Sequence, residues 1–229
     1  MIGVNHNEES RNQWLAETLA ALPAGLRLLD AGAGQLRNKP LCSHLQYISQ
    51  DFCQYEGIGD EQGLQTGVWD TSNIDIVCDI VNIPEPEASF DVILCSEVFE
   101  HLPDALAALD EFCRLLKPGG RLIITAPFAS FVHFAPYHYA SGFSRYWYEY
   151  HLPLRNFEIQ KLIPNGDWFS IAKQETLRLP SMARQYGDWC WPLAYLISGF
   201  SVLYFLLRGR GRQADDLACF GWHCIAVKN

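Results

Sequence analysis

The feature that most constrains this chain is a series of short apolar runs between residues 26 and 127, each followed at once by turn-forming or polar residues. Residues 26–30 end in a glycine-containing turn, 47–50 precede Asp51, 74–79 end in Asp79, 90–95 precede Ser96, and 121–126 follow Lys117-Pro118-Gly119-Gly120. Runs this short and this apolar read as strands buried on both faces, as in a parallel sheet. Between the last two, residues 104–116 carry Ala105, Leu106, Leu109, Phe112, Cys113 and Leu116 on one side of a helix. Strands alternating with helices imply right-handed βαβ units, and such sheets bind ligands at the carboxyl ends of their strands. The informative residues are therefore those just past each strand.

Length and composition agree. A chain of 229 residues suits one α/β domain with insertions, and 49% apolar residues supply a large core. The net charge of −9 repels phosphate backbones and argues against a nucleic-acid partner. Eight cysteines are scattered without a C-x-x-C pair, which argues against a zinc ribbon or a disulfide framework and fits a reducing, cytoplasmic setting. The polar, acidic start of the chain shows no secretory signal, and no repeat or low-complexity tract interrupts it.

Leu28-Leu29-Asp30-Ala31-Gly32-Ala33-Gly34 joins a strand, an acid and two close glycines. Without a Cβ, glycine lets the backbone come close to a ligand. Asp51 follows the second strand, where an acid can accept hydrogen bonds from ribose hydroxyls. Three ligands compete. A dinucleotide fingerprint wants a third glycine where Arg37 stands, and a phosphate loop wants a Gly-Lys-Ser/Thr that is absent. An acid directly before the turn suits a ligand with an ammonium group, because it would repel a pyrophosphate. S-adenosylmethionine carries an amine and a sulfonium.

The chain resembles class I S-adenosylmethionine-dependent methyltransferases of the broad type 11/type 12 group. The resemblance rests on Leu-Leu-Asp-Ala-Gly-Ala-Gly at 28–34, Asp51, Asp79, Phe-Asp-Val-Ile-Leu-Cys-Ser-Glu-Val-Phe-Glu-His-Leu at 90–102 and Leu-Leu-Lys-Pro-Gly-Gly-Arg-Leu-Ile-Ile-Thr-Ala-Pro at 115–127. It implies S-adenosyl-L-methionine as cofactor, with Asp30, Gly32 and Gly34 around the methionine moiety, Asp51 on the ribose, Asp79 and Ile80 around the adenine, and Ser96 lining the site. Leu36 departs from it, standing where many members have a third glycine. The expected fold is a Rossmann-like, doubly wound, mostly parallel sheet of about seven strands with the last antiparallel. It forms a single domain over 1–229, with a cofactor-binding core at 26–127, an aromatic acceptor-side insertion at 128–156 and an apolar helical insertion at 180–215, before the final strand.

Methyl transfer to a hydroxyl needs help in removing the proton, from a base or a metal. On a helical turn, Glu97, Glu100 and His101 would share one face, a set able to hold a divalent metal. The pattern is similar to the metal-binding Glu-x-x-Glu-His of ubiquinone O-methyltransferases and small-RNA 2′-O-methyltransferases, although the same pattern also serves only to order the helix entry. His133 and His138 are the candidate bases or added ligands, in a segment that also holds Tyr139 and His151. The aromatics Phe134, Tyr137, Tyr146 and Trp147 are candidates for an acceptor wall, and equally for core. Residues 142–148 resemble, more loosely, a segment of methyltransferases from bacterial polysaccharide and lipid biosynthesis loci. The expected acceptor is a small molecule, a glycan or a lipid-linked compound, methylated on oxygen. The competing readings are a catalytically inactive cofactor-binding or membrane-docking protein and an NAD-dependent oxidoreductase.

Residues 189–207 contain no charge over 19 positions, and Arg208, Arg210 and Arg212 follow. That is just long enough to span a bilayer. A strand expected at 220–227 speaks against a single span, since it would have to rejoin a sheet left on the other side. A helix packed on the domain, a homodimer face and a peripheral membrane contact are the readings left open, with the packed or dimeric form expected. A second helix is expected at 167–179, ended by Pro180.

Overall fold

The computed structural model describes residues 6–208 and 214–229; Arg210 and Arg212 lie outside them. One seven-stranded sheet runs in the order β3-β2-β1-β4-β5-β7-β6. Its strands are β1 (Arg27–Ala31), β2 (Gln46–Asp51), β3 (Ile76–Val77), β4 (Phe90–Ser96), β5 (Leu116–Pro127), β6 (Phe157–Asn165) and β7 (Gly221–Lys228). β1, β2, β3, β4 and β5 pair in parallel, and β7 pairs antiparallel to β5 from Arg121↔Val227 to Pro127↔Gly221. This is the Rossmann-like order expected, and the strand sequence turns back between β1 and β4, where folds of this type open a crevice.

The core follows from the apolar runs. Val92, Ile93, Leu94 and Cys95 of β4 are all fully buried, as are Leu28 and Leu29 of β1. Helix α1 (His6–Ala20) lays Leu15 and Leu19 against Leu28, Val92, Leu94 and Ile123, with Trp14 at the edge. Helix α2 (Ala105–Leu115) is started by Asp104, whose carboxylate accepts from the backbone N–H of Leu106 and Ala107, and buries Leu109, Phe112 and Leu115. After it the chain enters β5 at once. Residues 117–120 interrupt the ladder there instead of preceding it, so that Phe90 pairs with Leu116 and Val92 with Arg121.

Two crossovers differ from a helix-rich expectation. β1 and β2 are joined through only a short 3-10 turn at Lys39–Cys42, and residues 52–75 form no α-helix. Gly57, Gly59, Gly63 and Gly67 in the second stretch all take positive φ, which breaks helical periodicity. α3 (Arg145–His151) lies between β5 and β6.

The chain divides into two compact units, Met1–Asn12 with Pro164–Phe220, and Gln13–Ile163 with Gly221–Asn229. The second holds most of the sheet. The first contains α4 (Trp168–Gln185) and α5 (Trp191–Arg208), so the expected helical insertion between β6 and β7 is a pair of helices. Pro180 does not end α4, contrary to expectation. Its ring nitrogen cannot donate to the carbonyl of Thr176 four residues earlier, and the Ser198 hydroxyl of α5 donates to that carbonyl instead, at 2.6 Å. Asp167 caps the helix through the N–H and hydroxyl of Ser170. All eight cysteines are free thiols.

Candidate active site

The residues past β1, β2 and β4 converge at the carboxyl edge of the sheet. Gly32 (φ +75°) and Gly34 (φ +51°) turn the chain in the left-handed region, and the N–H groups of Gly32 and Ala33 donate to the carbonyl of Gln50 on β2. Leu36 also takes φ +59°. The position where the family resemblance expects glycine thus keeps a glycine-like backbone while carrying a Cβ, a conformation costing about 1–2 kcal/mol.

Asp51 faces this turn. One of its carboxylate oxygens accepts from Gly34 N–H and the other from Cys53 N–H, each at 2.9 Å. Each oxygen retains a lone pair, so the carboxylate can still accept from a ligand hydroxyl. Asp30 sits deeper, 1% exposed, and accepts from the Tyr47 hydroxyl at 2.6 Å and from the Asn38 amide at 3.3 Å. Burial pushes its carboxyl up to about 6. Asp30 therefore ties the turn to β2 and disposes a readily neutralised acid beneath it. Ser96 shares a 2.8 Å hydrogen bond with Thr125, Asp79 is exposed and accepts from Val81 N–H, and Ile80 beside it is buried.

The glycines are confined from above. A Cβ on Gly32 would stand 2.5 Å from a Val98 methyl, and one on Gly34 would stand 2.7 Å from the Trp69 ring. A donor with an amino-acid end, a ribose and an adenine fits these residues in part: an acid with spare lone pairs ends β2 and a buried apolar side chain follows β3, whereas Val98 and Trp69 fill the space that the two glycines leave.

Three residues that sequence reasoning passed over belong to the same site. The side chain of Gln50 accepts from Gly32 N–H and donates to the carbonyl of Cys78, joining the loops after β1 and β3. Trp69 and Tyr55 pack with Phe134, at centroid distances of 4.9 and 4.4 Å. The link is a backbone pairing, Leu64 N–H to Val132 carbonyl and Phe134 N–H to Leu64 carbonyl. Residues 52–75 and 131–138 thereby cover the edge of the sheet together. A polar residue at the buried end of a strand was the one visible signal for Gln50; the tryptophan had none.

Past β4, the helical turn expected over 97–101 does not form. Glu97 takes φ +55° and only Phe99–His101 make a 3-10 turn, so Glu97, Glu100 and His101 do not share a helical face. The proposed triad of ligands is corrected accordingly. The atoms that converge, within 4.8 Å of one another, belong to His101, His133 and His138. Glu100, 1% exposed, places a carboxylate oxygen 3.7 Å from His101 Nε2 and 3.8 Å from His133 Nε2.

The tautomers follow from the backbone. Nδ1 of His101 meets the carbonyl of Tyr137, and Nδ1 of His133 meets the carbonyl of Phe131 at 2.8 Å. A carbonyl only accepts, so both Nδ1 atoms carry the proton and both Nε2 lone pairs turn inward in the neutral rings. Both nitrogens of His138 are buried without a hydrogen-bond partner among the described residues. Burial, then the neighbouring His133, pushes His101 down to about 4, and the same two causes lower His138. The segment is pinned in place by Tyr139 and Ala140, whose N–H groups donate to the carbonyl of Glu100. Of the four aromatics suggested for an acceptor wall, Phe134 lies against His101 and His133, and Tyr137 against Phe52. Trp147 instead joins Phe99 and Phe143, and Tyr146 is exposed. His151 stacks near Trp147, away from the histidine trio.

A family model described as a methyltransferase domain matches residues 5–186. A ubiquinone biosynthesis O-methyltransferase from Xylella fastidiosa is 33% identical over 105 residues, covering 44% of this chain and 42% of that protein. One from Xanthomonas axonopodis pv. citri is 32% identical over 106 residues, covering 45% and 44%. The match thus spans under half the length of these relatives. Among solved structures, phosphoethanolamine N-methyltransferase 2 of Haemonchus contortus, bound to phosphomonomethylethanolamine and S-adenosylhomocysteine, superposes with a TM-score of 0.52 at 16% identity, covering 95% of this chain and 52% of that one. The [4+2]-cyclase SpnF superposes with a TM-score of 0.58 at 17% identity, covering 96% and 80%. At these identities the structures speak to the fold alone, and one of them is named for a cyclisation.

Proposed function

The chain belongs to the methyltransferase-domain family, a S-adenosylmethionine-dependent class of enzyme, and from that premise we propose that it methylates a hydroxyl oxygen of a small-molecule, glycan or lipid-linked acceptor. The observation that carries the choice of oxygen is the histidine trio. Inward-facing neutral imidazoles beside a buried carboxylate are suited to taking a proton from a hydroxyl. The relatives' printed name, an O-methyltransferase, supports the same atom.

When bound, the donor supplies a methyl carbon on a positively charged sulfur, open to in-line displacement. Asp51 would hold the ribose, and Val98 and Trp69 would move aside for the amino-acid end to reach the backbone at Gly32 and Gly34. Trp69 and Phe134 would keep water from the acceptor side. His138, whose nitrogens have no other duty, would receive the acceptor's proton as the oxygen–carbon bond forms, and His133 with Glu100 would hold the resulting charge.

A second reading rests on the same geometry. Two Nε2 lone pairs within 4 Å of one carboxylate oxygen are a set that a divalent cation would satisfy, and the Nδ1-to-carbonyl bonds are the outer contacts that orient metal-bound histidines. Glu100, His101, His133 and His138 would hold such an ion, which would supply Lewis acidity at the acceptor oxygen.

The test uses methyl-labelled S-adenosylmethionine and a panel of phenols, glycans and lipid-linked alcohols. His138→Ala is expected to lower turnover about 100-fold or more while donor affinity, read by titration calorimetry, stays unchanged. Full turnover in His138→Ala and His133→Ala would overturn the role of the trio. Loss of activity on chelation, restored by a divalent cation, selects the metal reading; indifference to chelators selects the base.

A further inference from the structure

Helix α5 is the most apolar helix of the chain and one of the least covered. Only 11% of its residues are buried, chiefly Ala194 and Ser198, which face α4. Phe200 is 76% exposed and Leu207 80%, and Leu193, Leu196, Leu203 and Tyr204 are each more than half exposed. Trp189 and Tyr186, just before the helix, are exposed as well. A packed or dimeric helix is the form expected from the sequence; among the described residues its outer face stands exposed. An apolar surface of this extent marks an interaction site.

The surroundings of the helix decide the partner. The insertion as a whole, residues 164–220, holds six basic side chains (Lys173, Arg178, Arg184, Arg208, Arg210 and Arg212) and five acids (Asp167, Glu175, Asp188, Asp215 and Asp216), a net charge of +1, while the remaining 11 basic and 21 acidic residues give −10. The acidic balance of the chain thus lies outside the insertion. A two-fold dimer through α5 would set this face against itself. It would also lack the polar rim of a protein interface, since no charged residue lies between 189 and 207.

We propose that α5 is a monotopic membrane anchor, its uncovered face sunk into an anionic lipid surface with the exposed Arg184 at the headgroups. Three observations fix that mode. β6 and β7, the strands before and after the insertion, are neighbours in one sheet, so the chain enters and leaves on the same side and α5 does not cross. α4 carries Lys173, Glu175, Arg178 and Arg184 and stays in the aqueous layer. Tryptophan and tyrosine cluster at the start of α5, at Tyr186, Trp189, Trp191 and Tyr195, the side chains that settle at the boundary between headgroups and acyl chains. Arg184 leans over the Trp191 ring at 5.9 Å, setting a positive charge beside that belt. The inference stands apart from the assignment of the acceptor atom.

The full chain is tested by flotation with vesicles. Binding is expected to vesicles of mixed phosphatidylglycerol and phosphatidylcholine, to fall about tenfold or more on phosphatidylcholine alone, and to weaken as salt is raised. The triple variant Leu196→Gln, Phe200→Gln and Leu203→Gln should lose binding about 100-fold or more, with S-adenosylmethionine affinity retained as the check on folding. Arg184→Glu, an exposed site, should weaken binding severalfold on the anionic vesicles only. Wild-type protein that stays with neither vesicle overturns the proposal. So does a stable dimer in sedimentation that the triple variant converts to monomer without any vesicle binding.

Discussion

Strand β4 and helix α5 are built from the same kind of residue and meet opposite surroundings. In β4, Val92, Ile93, Leu94 and Cys95 have no exposure at all; in α5, most side chains between Trp191 and Leu207 face outward. Hydropathy alone does not separate the two. What separates them is the supply of partners. β4 has β1 on one edge, β5 on the other, and α1 and α2 contributing leucines and phenylalanines to the buried layers. α5 packs on α4, and α5 turns small residues toward that contact: its Ser198 reaches the Thr176 carbonyl of α4, and its Ala194 is buried. Apolar sequence states a demand for burial, and only topology says whether the chain itself meets it.

The contrast predicts a graded set of stabilities in water. Leu94→Ala in β4 should cost about 2–5 kcal/mol in urea unfolding, the range for a cavity in a packed core. Phe200→Ala belongs at the other end of the scale, considered last below. If both cost the same, the exposure of α5 in solution is not what the structure shows.

Burial at the rim has a second consequence, in proton binding. Asp30, pushed up to about 6, keeps its proton in the folded chain where the unfolded chain has lost it, so its contribution to stability falls as pH rises from about 4 to about 6. His101, pushed down to about 4, acts in the reverse sense: the unfolded chain takes up the proton first, and stability falls as pH drops from about 6.5 to about 4. The two oppose each other over nearly the same interval. Asp30→Asn removes one side of the balance. Relative to the parent, the variant should gain stability as pH rises from about 4 to about 6, by up to about 3 kcal/mol, read from urea midpoints at the two ends. A difference that is flat with pH would show that Asp30 titrates normally.

Asp51→Ala comes next in size. Loss of a charged acceptor at the turn should weaken S-adenosylmethionine binding by about 1.5–3 kcal/mol, measured by calorimetry. Unchanged affinity would remove Asp51 from the donor site. The smallest effect is that of Phe200→Ala, within about 0.5 kcal/mol of the parent in water, because the ring leaves few contacts behind.

Much of the sheet was legible because buried parallel strands are short, apolar and ended by turn residues. The runs at 26–30, 47–50, 90–95 and 121–126 all became strands with boundaries moved by a few residues. β5 reaches further back because the ladder resumes on either side of the Pro118-Gly119-Gly120 interruption. The meeting of Gly34 with Asp51 was legible for the same reason: both sit within a few residues of strand ends. The acceptor side was less so. His133 and His138 were singled out, but their meeting with His101 depends on the pairing of Leu64 with Val132 and Phe134, a contact between segments some 70 positions apart that no local pattern announces. Glu97 was misplaced because helical spacing was assumed where the backbone enters a left-handed turn. The run of α4 through Pro180 depends on a serine in another helix, Ser198, which is equally invisible to a reading of neighbours.

One hydrogen bond at the base of the insertion has a wider consequence. The N–H of Phe220 donates to the carbonyl of Asn165 at 2.8 Å, so the chain leaves β6 and re-enters β7 through two adjacent residues. An insertion that begins and ends at hydrogen-bonded neighbours can grow or shrink without changing the register of either strand, so the sequence between Asn165 and Phe220 is free to vary while β6 and β7 keep their places in the sheet.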